Sequence, residues 1–256
     1  MLAFKLLLTP ALLGLVSLAG RRWGPAVSGW LVGLPLTSGP VALFLALDLG
    51  TTFATRAAQN TMLGIVSVAG FCLAYSWLSM RVGWPGSVLA GWSVFFALTA
   101  ILERFSAPLV LSFVGAISCL ILALYLLPGS QSPKVMTNPP QWETLLRMFV
   151  ATAFVVGLTA IAAFLGPQLS GLLTPFPVFA SILGVFTHHF QDAAAARRLL
   201  RGVLTGLFTF AVFFLVVAGL IEVWGIALAF ILATLAALVM HGGSLLLLRK
   251  FRTRKA

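Results

Sequence analysis

The chain alternates long apolar runs with short polar gaps from one end to the other. A run of about 20 apolar residues has the length of an α-helix that crosses a bilayer, so each run predicts a transmembrane helix. The pattern predicts an all-α, polytopic transmembrane helix bundle. Its nine predicted spans are residues 3–19, 27–49, 60–80, 84–102, 106–127, 146–165, 170–188, 199–221 and 224–247.

The longest gap divides the chain into two halves. It contains Gly129-Ser130 and Asn138-Pro139-Pro140, which neither continue a helix nor bury themselves and are typical of a linker. The predicted parts are an N-terminal half with five spans, a cytoplasmic linker, and a C-terminal half with four spans and a basic tail. Their bounds are 1–127, 128–145 and 146–256.

Composition supports a chain dissolved in lipid, since 61% of its residues are apolar and 8% are charged. The net charge of +11 does not indicate nucleic-acid binding, because the Lys and Arg residues occupy short gaps and the C-terminus. Cys72 and Cys119 lie inside apolar spans, which favours packing over a disulfide. No small-x-small cleavage site precedes Arg21, so the first apolar run predicts a retained span.

Basic residues set the predicted orientation, because cytoplasmic gaps are enriched in Lys and Arg. Nine spans with a cytoplasmic C-terminus leave only Lys5, Arg56 and Arg104 outside. The fourth and fifth spans are separated by Glu103 and Arg104, so a hairpin and a single kinked helix both fit. The charge distribution favours two separate spans. We therefore predict a bacterial inner-membrane protein with its N-terminus outside and its C-terminus in the cytoplasm.

An internal repeat is predicted in the register that pairs position 24 with position 166, which we call the repeat register. The segment Gly24-Pro25-Ala26-Val27-Ser28-Gly29 is echoed by Gly166-Pro167-Gln168-Leu169-Ser170-Gly171, and the same register pairs Pro35 with Pro177 and Phe44 with Phe186. Equivalent positions are five spans apart. Because five is odd, the second copy is predicted to cross the membrane in the opposite sense, as in many secondary transporters.

Proline breaks the corresponding helix of each predicted copy, at residues 33–40 and at Thr174-Pro175-Phe176-Pro177. Proline removes a backbone donor, so each break exposes carbonyls and a new helix N-terminus, which favours anions. The alternative is an ordinary packing kink. On the transport hypothesis, the predicted substrate-binding residues are Thr37, Ser38, Gly39, Asp48 and Thr174.

The remaining polar residues offer weaker candidates. His188, His189 and Asp192 end the seventh span and suggest a proton relay, with an interfacial pair in a basic loop as the alternative. His241, within the last span, is interpreted as packed and hydrogen-bonded rather than as a ligand. Glu143 is interpreted as solvated, like Glu103 and Arg104. No hydrolase motif, phosphate loop or metal-ligand spacing occurs, so neither an enzyme nor a metal or cofactor is predicted.

The stretch from Ser170 to Ala180, SGLLTPFPVFA, resembles the GlpM-like family of small bacterial membrane proteins, whose second helix carries a similar pattern. The likeness covers Arg147 to Leu248 and, more weakly, Gly24 to Phe44. It implies a tandem fusion of two four-helix units with the fifth span as the link, and a connection to exopolysaccharide production. The first half departs from the pattern, because the residues from Leu34 to Pro40 replace the aromatic-rich version.

Two functions follow as hypotheses. The inverted, proline-broken repeat favours a transporter or permease for a small polar or anionic solute. The family resemblance favours a membrane scaffold subunit for envelope or exopolysaccharide production, with an assembly partner or a second copy of the chain. The bilayer is the one partner that both hypotheses share, and neither involves nucleic acid.

Overall fold

A computed structural model describes residues 2–36, 38–105, 107–129, 141–162 and 176–253. Within these ranges every regular element is an α-helix. Thr37 and Thr174 lie outside the described residues. The helices, in chain order, are α1 (Leu2–Trp23), α2 (Pro25–Val32), α3 (Ser38–Leu49), α4 (Thr51–Leu78), α5 (Trp84–Leu102), α6 (Leu109–Leu126), α7 (Gln141–Ala162), α8 (Val178–Phe190) and α9 (Ala193–Thr253).

Four helices of the described chain are long and apolar enough to cross a membrane: α4, α5, α6 and the Ala193–Ser244 part of α9. The helices α3 and α8 are apolar but shorter. Large apolar side chains also cover much of the outer surface, among them Val110, Phe149 and Val239, each more than two thirds exposed. Water disfavours such a surface and lipid does not, so the bundle is compatible with a membrane protein.

Three glycines join consecutive helices without a loop. Gly24, Gly50 and Gly225 have φ angles of 94°, 87° and 76° with ψ between 166° and 172°, a conformation that is essentially restricted to glycine. The helix α4 therefore begins at Thr51, well before the predicted start of the third span at residue 60. At Gly225, α9 divides into two segments, 193–224 and 226–253, which abut directly.

The predicted second span, 27–49, is two short helices rather than one. Helix α2 ends at Val32 and α3 begins at Ser38. Pro35 lies between them, and its carbonyl oxygen accepts a hydrogen bond of 2.8 Å from Gly39 N, which starts the first turn of α3. In the second half, α8 begins directly after Pro177. The rest of the second predicted break lies outside the described residues.

The fourth and fifth predicted spans are separate helices, α5 and α6, with residues 103–108 between them. The start of α5 at Trp84 and its end at Leu102 agree with the predicted bounds. Helix α7 begins at Gln141, within the predicted linker. This difference has a physical reason, because Glu143 in its first turn is buried and pairs with Arg147 one turn later.

Helix α2 packs against α9 through two glycine pairs of the form Gly-x-x-x-Gly. Gly29 and Gly33 on α2 face the first segment of α9, and Gly202 and Gly206 on α9 face α2. A Cβ atom on Gly29 would overlap the Leu199 carbonyl oxygen, and one on Gly206 would overlap the Trp30 carbonyl oxygen. Small residues at this spacing allow two helix backbones to approach closely, so this contact joins the two halves of the chain.

In two other helix pairs, the C-terminal end of one helix meets the N-terminal end of the other. The C-terminal end of α1 meets the N-terminal end of α7 through Arg21 and Glu143. The residue after α4, Ser79, accepts a hydrogen bond of 3.3 Å from Arg197 Nη1 in the first turns of α9. The members of each pair therefore run in opposite directions where they touch. Fully buried side chains of α4 and α9, including Phe71, Tyr75 and Phe214, fill the core between them.

We expect Gly206→Ala to destabilise the protein, because its new methyl group would overlap the backbone of α2. Forcing extra atoms into a packed contact costs about 1–3 kcal/mol. Gly115→Ala is the matched control, since Gly115 lies on α6 and a Cβ atom there would meet no other atom within 4 Å. Thermal unfolding of the detergent-purified variants measures the difference. An equal unfolding temperature for both variants would contradict the close backbone packing.

Candidate functional site

A buried aromatic pair lies beside the break between α2 and α3. The rings of Trp30 and His241 are stacked, with centroids 3.5 Å apart and planes 13° from parallel. Trp30 lies in the last turn of α2, and His241 lies in the second segment of α9. Trp30 is 5% exposed and His241 is 4% exposed. The stack therefore joins two buried elements from opposite ends of the sequence.

Hydrogen bonds extend this pair into a cluster of four residues, which we call the Trp30–His241 cluster. Trp30 Nε1 donates to Ser244 Oγ at 2.9 Å, and Ser244 Oγ donates to the His241 carbonyl oxygen at 2.8 Å. Thr209 Oγ1 and His241 Nδ1 are 3.1 Å apart. The other ring nitrogen, Nε2, is buried and has no hydrogen-bond partner among the described residues. His241 is therefore packed as predicted, but only Nδ1 of its two ring nitrogens is hydrogen-bonded within the described residues.

The cluster lies midway along the first segment of α9. Thr209 is halfway between Ala193, where the segment begins, and Gly225, which follows its end, so it is about 24 Å from either end. The break lies beside the cluster. Gly33 faces Gly206, which precedes Thr209 by about one turn, and Gly39 faces the ring of Phe213, which follows Thr209 by about one turn. A Cβ atom placed on Gly39 would lie 3.3 Å from that ring. The predicted residues Ser38 and Gly39 are both buried there.

A second buried hydrogen bond joins two residues of the first half that the predicted repeat register pairs with His241 and Thr209. Thr99 Oγ1 donates to Ser67 Oγ at 3.0 Å. The repeat register pairs Thr99 with His241 and Ser67 with Thr209. Ser67 is likewise halfway between the start of α4 at Thr51 and Gly83, which precedes α5. Only the second of these two hydrogen-bonded pairs contains an imidazole, a side chain whose second nitrogen can accept a proton.

Asp48, the remaining described member of the predicted binding residues, is not near the cluster. It is exposed and lies near the C-terminal end of α3, about 15 Å along the helix from Ser38. The structure therefore brings Ser38 and Gly39 together at the break and separates Asp48 from them. Thr37 and Thr174 lie outside the described residues.

The three residues of the predicted proton relay take different partners at the end of α8. His188 Nδ1 is 3.2 Å from the Tyr75 hydroxyl, and the exposed His189 ring meets Trp84 edge to face at 6.2 Å. The Asp192 carboxylate accepts a hydrogen bond from Ala195 N and caps α9. These contacts hold the junction of α4, α5, α8 and α9 together.

The interpretation of Glu143 as a solvated residue is wrong. Its side chain is 1% exposed and pairs with Arg147, which lies one turn later on α7, and with Arg21 Nη2 at 3.6 Å. The Arg147 guanidinium also covers the Phe186 ring at 5.3 Å. Position near a span end suggested solvent, but the packing of α1 and α8 against α7 covers the carboxylate. Buried charges persist only when they are paired.

The sequence interpretation did not include Trp30, Thr209 and Ser244 as functional residues. One local signal was present, because Trp30 lies between Gly29 and Gly33 inside a span, whereas Trp23, Trp84 and Trp224 lie at span ends. The contacts of Trp30 with His241 and Ser244 join segments that are far apart in the sequence, so no local pattern predicts them. Together these side chains supply hydrogen-bond donors and acceptors and one imidazole that binds protons, which suits recognition of a polar solute.

We expect Glu143→Gln to destabilise the protein, since it leaves the buried Arg147 without a carboxylate partner. Breaking a buried ion pair costs about 3–5 kcal/mol. Glu222→Gln makes the same chemical change at an exposed position near the end of the first segment of α9 and is expected to change stability by less than about 0.5 kcal/mol. Comparing thermal unfolding of the two variants tests this, and equal losses would contradict it.

Comparisons of the chain with protein-family models, curated proteins and solved structures gave no match. The resemblance to the GlpM-like family therefore stays a prediction.

Proposed function

We propose that the protein is a transporter for a small polar or anionic solute, and that the solute binds at the break between α2 and α3. One observation carries the proposal: the break packs against α9 on both sides of Thr209, beside the buried Trp30–His241 cluster, whose imidazole has one nitrogen without a partner among the described residues. Ionisable residues within membrane helices mark solute and proton pathways. Broken helices at mid-depth form the binding sites of many secondary transporters.

The proposal includes an inverted repeat of two four-helix units, and helix boundaries support it. The repeat register pairs Thr51, which begins α4, with Ala193, which begins α9. It also pairs Gly83, which precedes α5, with Gly225, which precedes the second segment of α9. The hydrogen bonds Thr99–Ser67 and His241–Thr209 keep that register as well.

Sequence identities support the same register. Eight positions between the start of α4 and the start of α5 repeat in α9, beyond those found around the breaks. They are Ala54, Arg56, Gly64, Ala69, Phe71, Leu73, Leu78 and Gly83, repeated as Ala196, Arg198, Gly206, Ala211, Phe213, Leu215, Leu220 and Gly225.

The direction of the helices favours inversion of the two units. In the repeat register α7 is the counterpart of α1, and the first segment of α9 is the counterpart of α4. Each helix meets its counterpart in opposite directions, through Arg21 with Glu143 and Ser79 with Arg197. Units that cross a membrane in opposite senses require this arrangement.

The contacts that three arginines make with other segments support the proposed orientation. Arg21, Arg197 and Arg201 are all assigned to the cytoplasmic face by the positive-inside rule. Their partners belong to segments assigned to the same face: Glu143, Ser79 and the Leu127 carbonyl oxygen, which lies 3.4 Å from Arg201 Nη2. We therefore propose a bacterial inner-membrane location with a cytoplasmic C-terminus.

Charge favours an anion as the solute. The Trp30–His241 cluster contains no carboxylate, and α3 begins at the break, where the N-terminus of a helix favours negative charge. The net charge of +11 would also draw anions towards the protein.

Labelling of two cysteine variants tests the inversion. In a chain with Cys72 and Cys119 replaced by Ala, we introduce Met80→Cys or Glu222→Cys, exposed positions that the repeat register pairs with each other. We expect an impermeant maleimide to label position 80 only from the cytoplasmic side and position 222 only from the outside. Labelling of both positions from one side would contradict the inverted repeat.

Solute flux tests transport. Vesicles that contain the purified protein are exposed to gradients of acetate, phosphate or sulfate, and stopped-flow light scattering follows their volume. We expect at least one anion to cross faster than in protein-free vesicles. Trp30→Phe should slow this flux about two- to tenfold, the effect of losing one hydrogen bond.

Trp77→Phe is the matched control, because the exposed Trp77 donates a similar hydrogen bond to the Leu126 carbonyl oxygen. Its flux should equal that of the parent protein. If no anion crosses faster than in protein-free vesicles, the transport proposal fails and the scaffold hypothesis is favoured.

A further inference from the structure

We propose that His241 is the proton-binding residue of the protein, and that the solute anion and a proton move together. This inference rests on the proposed transport function. It adds the coupling ion, and it assigns that ion to an atom, the Nε2 nitrogen of His241. The hydrogen bonds of the imidazole, the charges around it and the difference between the two halves of the chain all support this assignment.

The imidazole has one satisfied nitrogen and one unsatisfied nitrogen. Nδ1 lies 3.1 Å from Thr209 Oγ1, and Nε2 is buried without a partner among the described residues. When Nδ1 carries its hydrogen and donates to Thr209, Nε2 holds the lone pair that accepts a proton. Buried polar atoms in native proteins are nearly always hydrogen-bonded, so an open nitrogen in a polar cluster indicates a position for an exchangeable ligand.

Among the described residues, the surroundings of His241 supply no opposing charge. Helix α2, which contributes Trp30, has no charged residue, and the one on α3, Asp48, is exposed at its far end. On the first segment of α9, Arg201 is the charged residue nearest to Thr209, about 12 Å away along the helix. On its own segment, the first charged residue after His241 is Arg249. The charged residues of the first segment are Arg197, Arg198, Arg201 and Glu222.

The other helices packed against α9 have few charged residues within their described ranges, and these residues lie near helix ends. Helix α4 has Arg56 near its start, and Tyr75 near its end, where His188 of α8 contacts the hydroxyl. Helix α6 has no charged residue. The thiols and phenols of these two helices are those of Cys72, Tyr75, Cys119 and Tyr125.

An unpaired imidazolium in such a place would be costly. Proton binding at Nε2 therefore has to accompany either opening of the cluster to water or arrival of a counter-charge. An anionic solute at the adjoining break supplies that counter-charge. The N–H bond formed on Nε2 gives the cluster one positive charge, which the anion neutralises, and the pair can leave together. This balance makes the proposed process a symport of one proton with the anion.

In the first half of the chain, the pair that corresponds to His241 and Thr209 contains no imidazole. At the equivalent positions, Thr99 and Ser67 form a buried hydrogen bond between two hydroxyl groups. That pair satisfies the same helix contact and binds no proton near neutral pH. The helix packing therefore does not require a histidine at position 241, and its presence in one half alone indicates a role beyond packing.

The stack on Trp30 provides a direct optical test. A protonated imidazole quenches an indole in contact with it, so the emission of Trp30 reports the charge on His241. The emission of Trp30 is taken as the difference between the parent protein and Trp30→Phe, titrated from pH 8 to pH 5 in vesicles with acetate, phosphate or sulfate. We expect this difference to fall on acidification and to be independent of pH in His241→Gln.

Proton flux completes the test. A pH-sensitive dye trapped in the vesicles should record proton entry driven by the anion gradient, and His241→Gln should reduce it to the level of protein-free vesicles. His241→Thr is a second variant, because it copies the hydroxyl pair of Thr99 and Ser67. Either variant that retains its thermal unfolding transition is sufficient for the comparison.

Three results would overturn the inference in distinguishable ways. Anion flux without proton flux would remove the coupling and leave the transport function intact. Proton flux that survives in His241→Gln but is lost in the double variant His188→Gln, His189→Gln would assign coupling to the relay predicted at the end of α8. A pH-dependent Trp30 signal without flux of any anion would remove the transport function and the coupling with it.

Discussion

The close approach of α2 to α9 is the contact on which the rest of the arrangement depends. Two Gly-x-x-x-Gly pairs bring the backbones of these helices together, and a methyl group at Gly29, Gly33, Gly202 or Gly206 would overlap the opposite chain segment. Lipid provides no hydrophobic force between helices, so association relies on packing and hydrogen bonds. The contact fixes Trp30 against His241 and fixes the α2–α3 break beside Thr209.

Two buried polar groups of the bundle differ in how completely their atoms are paired. Near helix ends, Glu143 and Arg147 are buried but neutralise each other, with Arg21 as a third member. This group ties α1 to α7. Beside Thr209, midway along the first segment of α9, the imidazole of His241 is held by a stack and one hydrogen bond, and its other nitrogen has no partner among the described residues. Incomplete pairing is costly, and functional sites are where proteins accept that cost.

Much of the helical pattern followed from local sequence, whereas the candidate site did not. Apolar runs predicted α5 to the residue, and the prolines predicted the end of α2 and the start of α8. The early start of α4 was missed, because polarity at its first turns suggested a loop while Gly50 allowed an abrupt corner. The burial of Glu143 and the pairing of Trp30 with His241 depend on contacts between distant segments, which periodicity does not encode.

The glycine corners also determine how the helices can move relative to one another. A loop of several residues is a slack tether, but each residue contributes only two soft torsions, so a single glycine between two helices acts as a joint with two degrees of freedom. Gly24, Gly50 and Gly225 are such joints. A tilt of α3 must turn the first residues of α4 through Gly50, and a tilt of segment 226–253 must pivot at Gly225. At these three positions the helices are therefore linked rods, and rotation at the glycine is passed directly to the next helix.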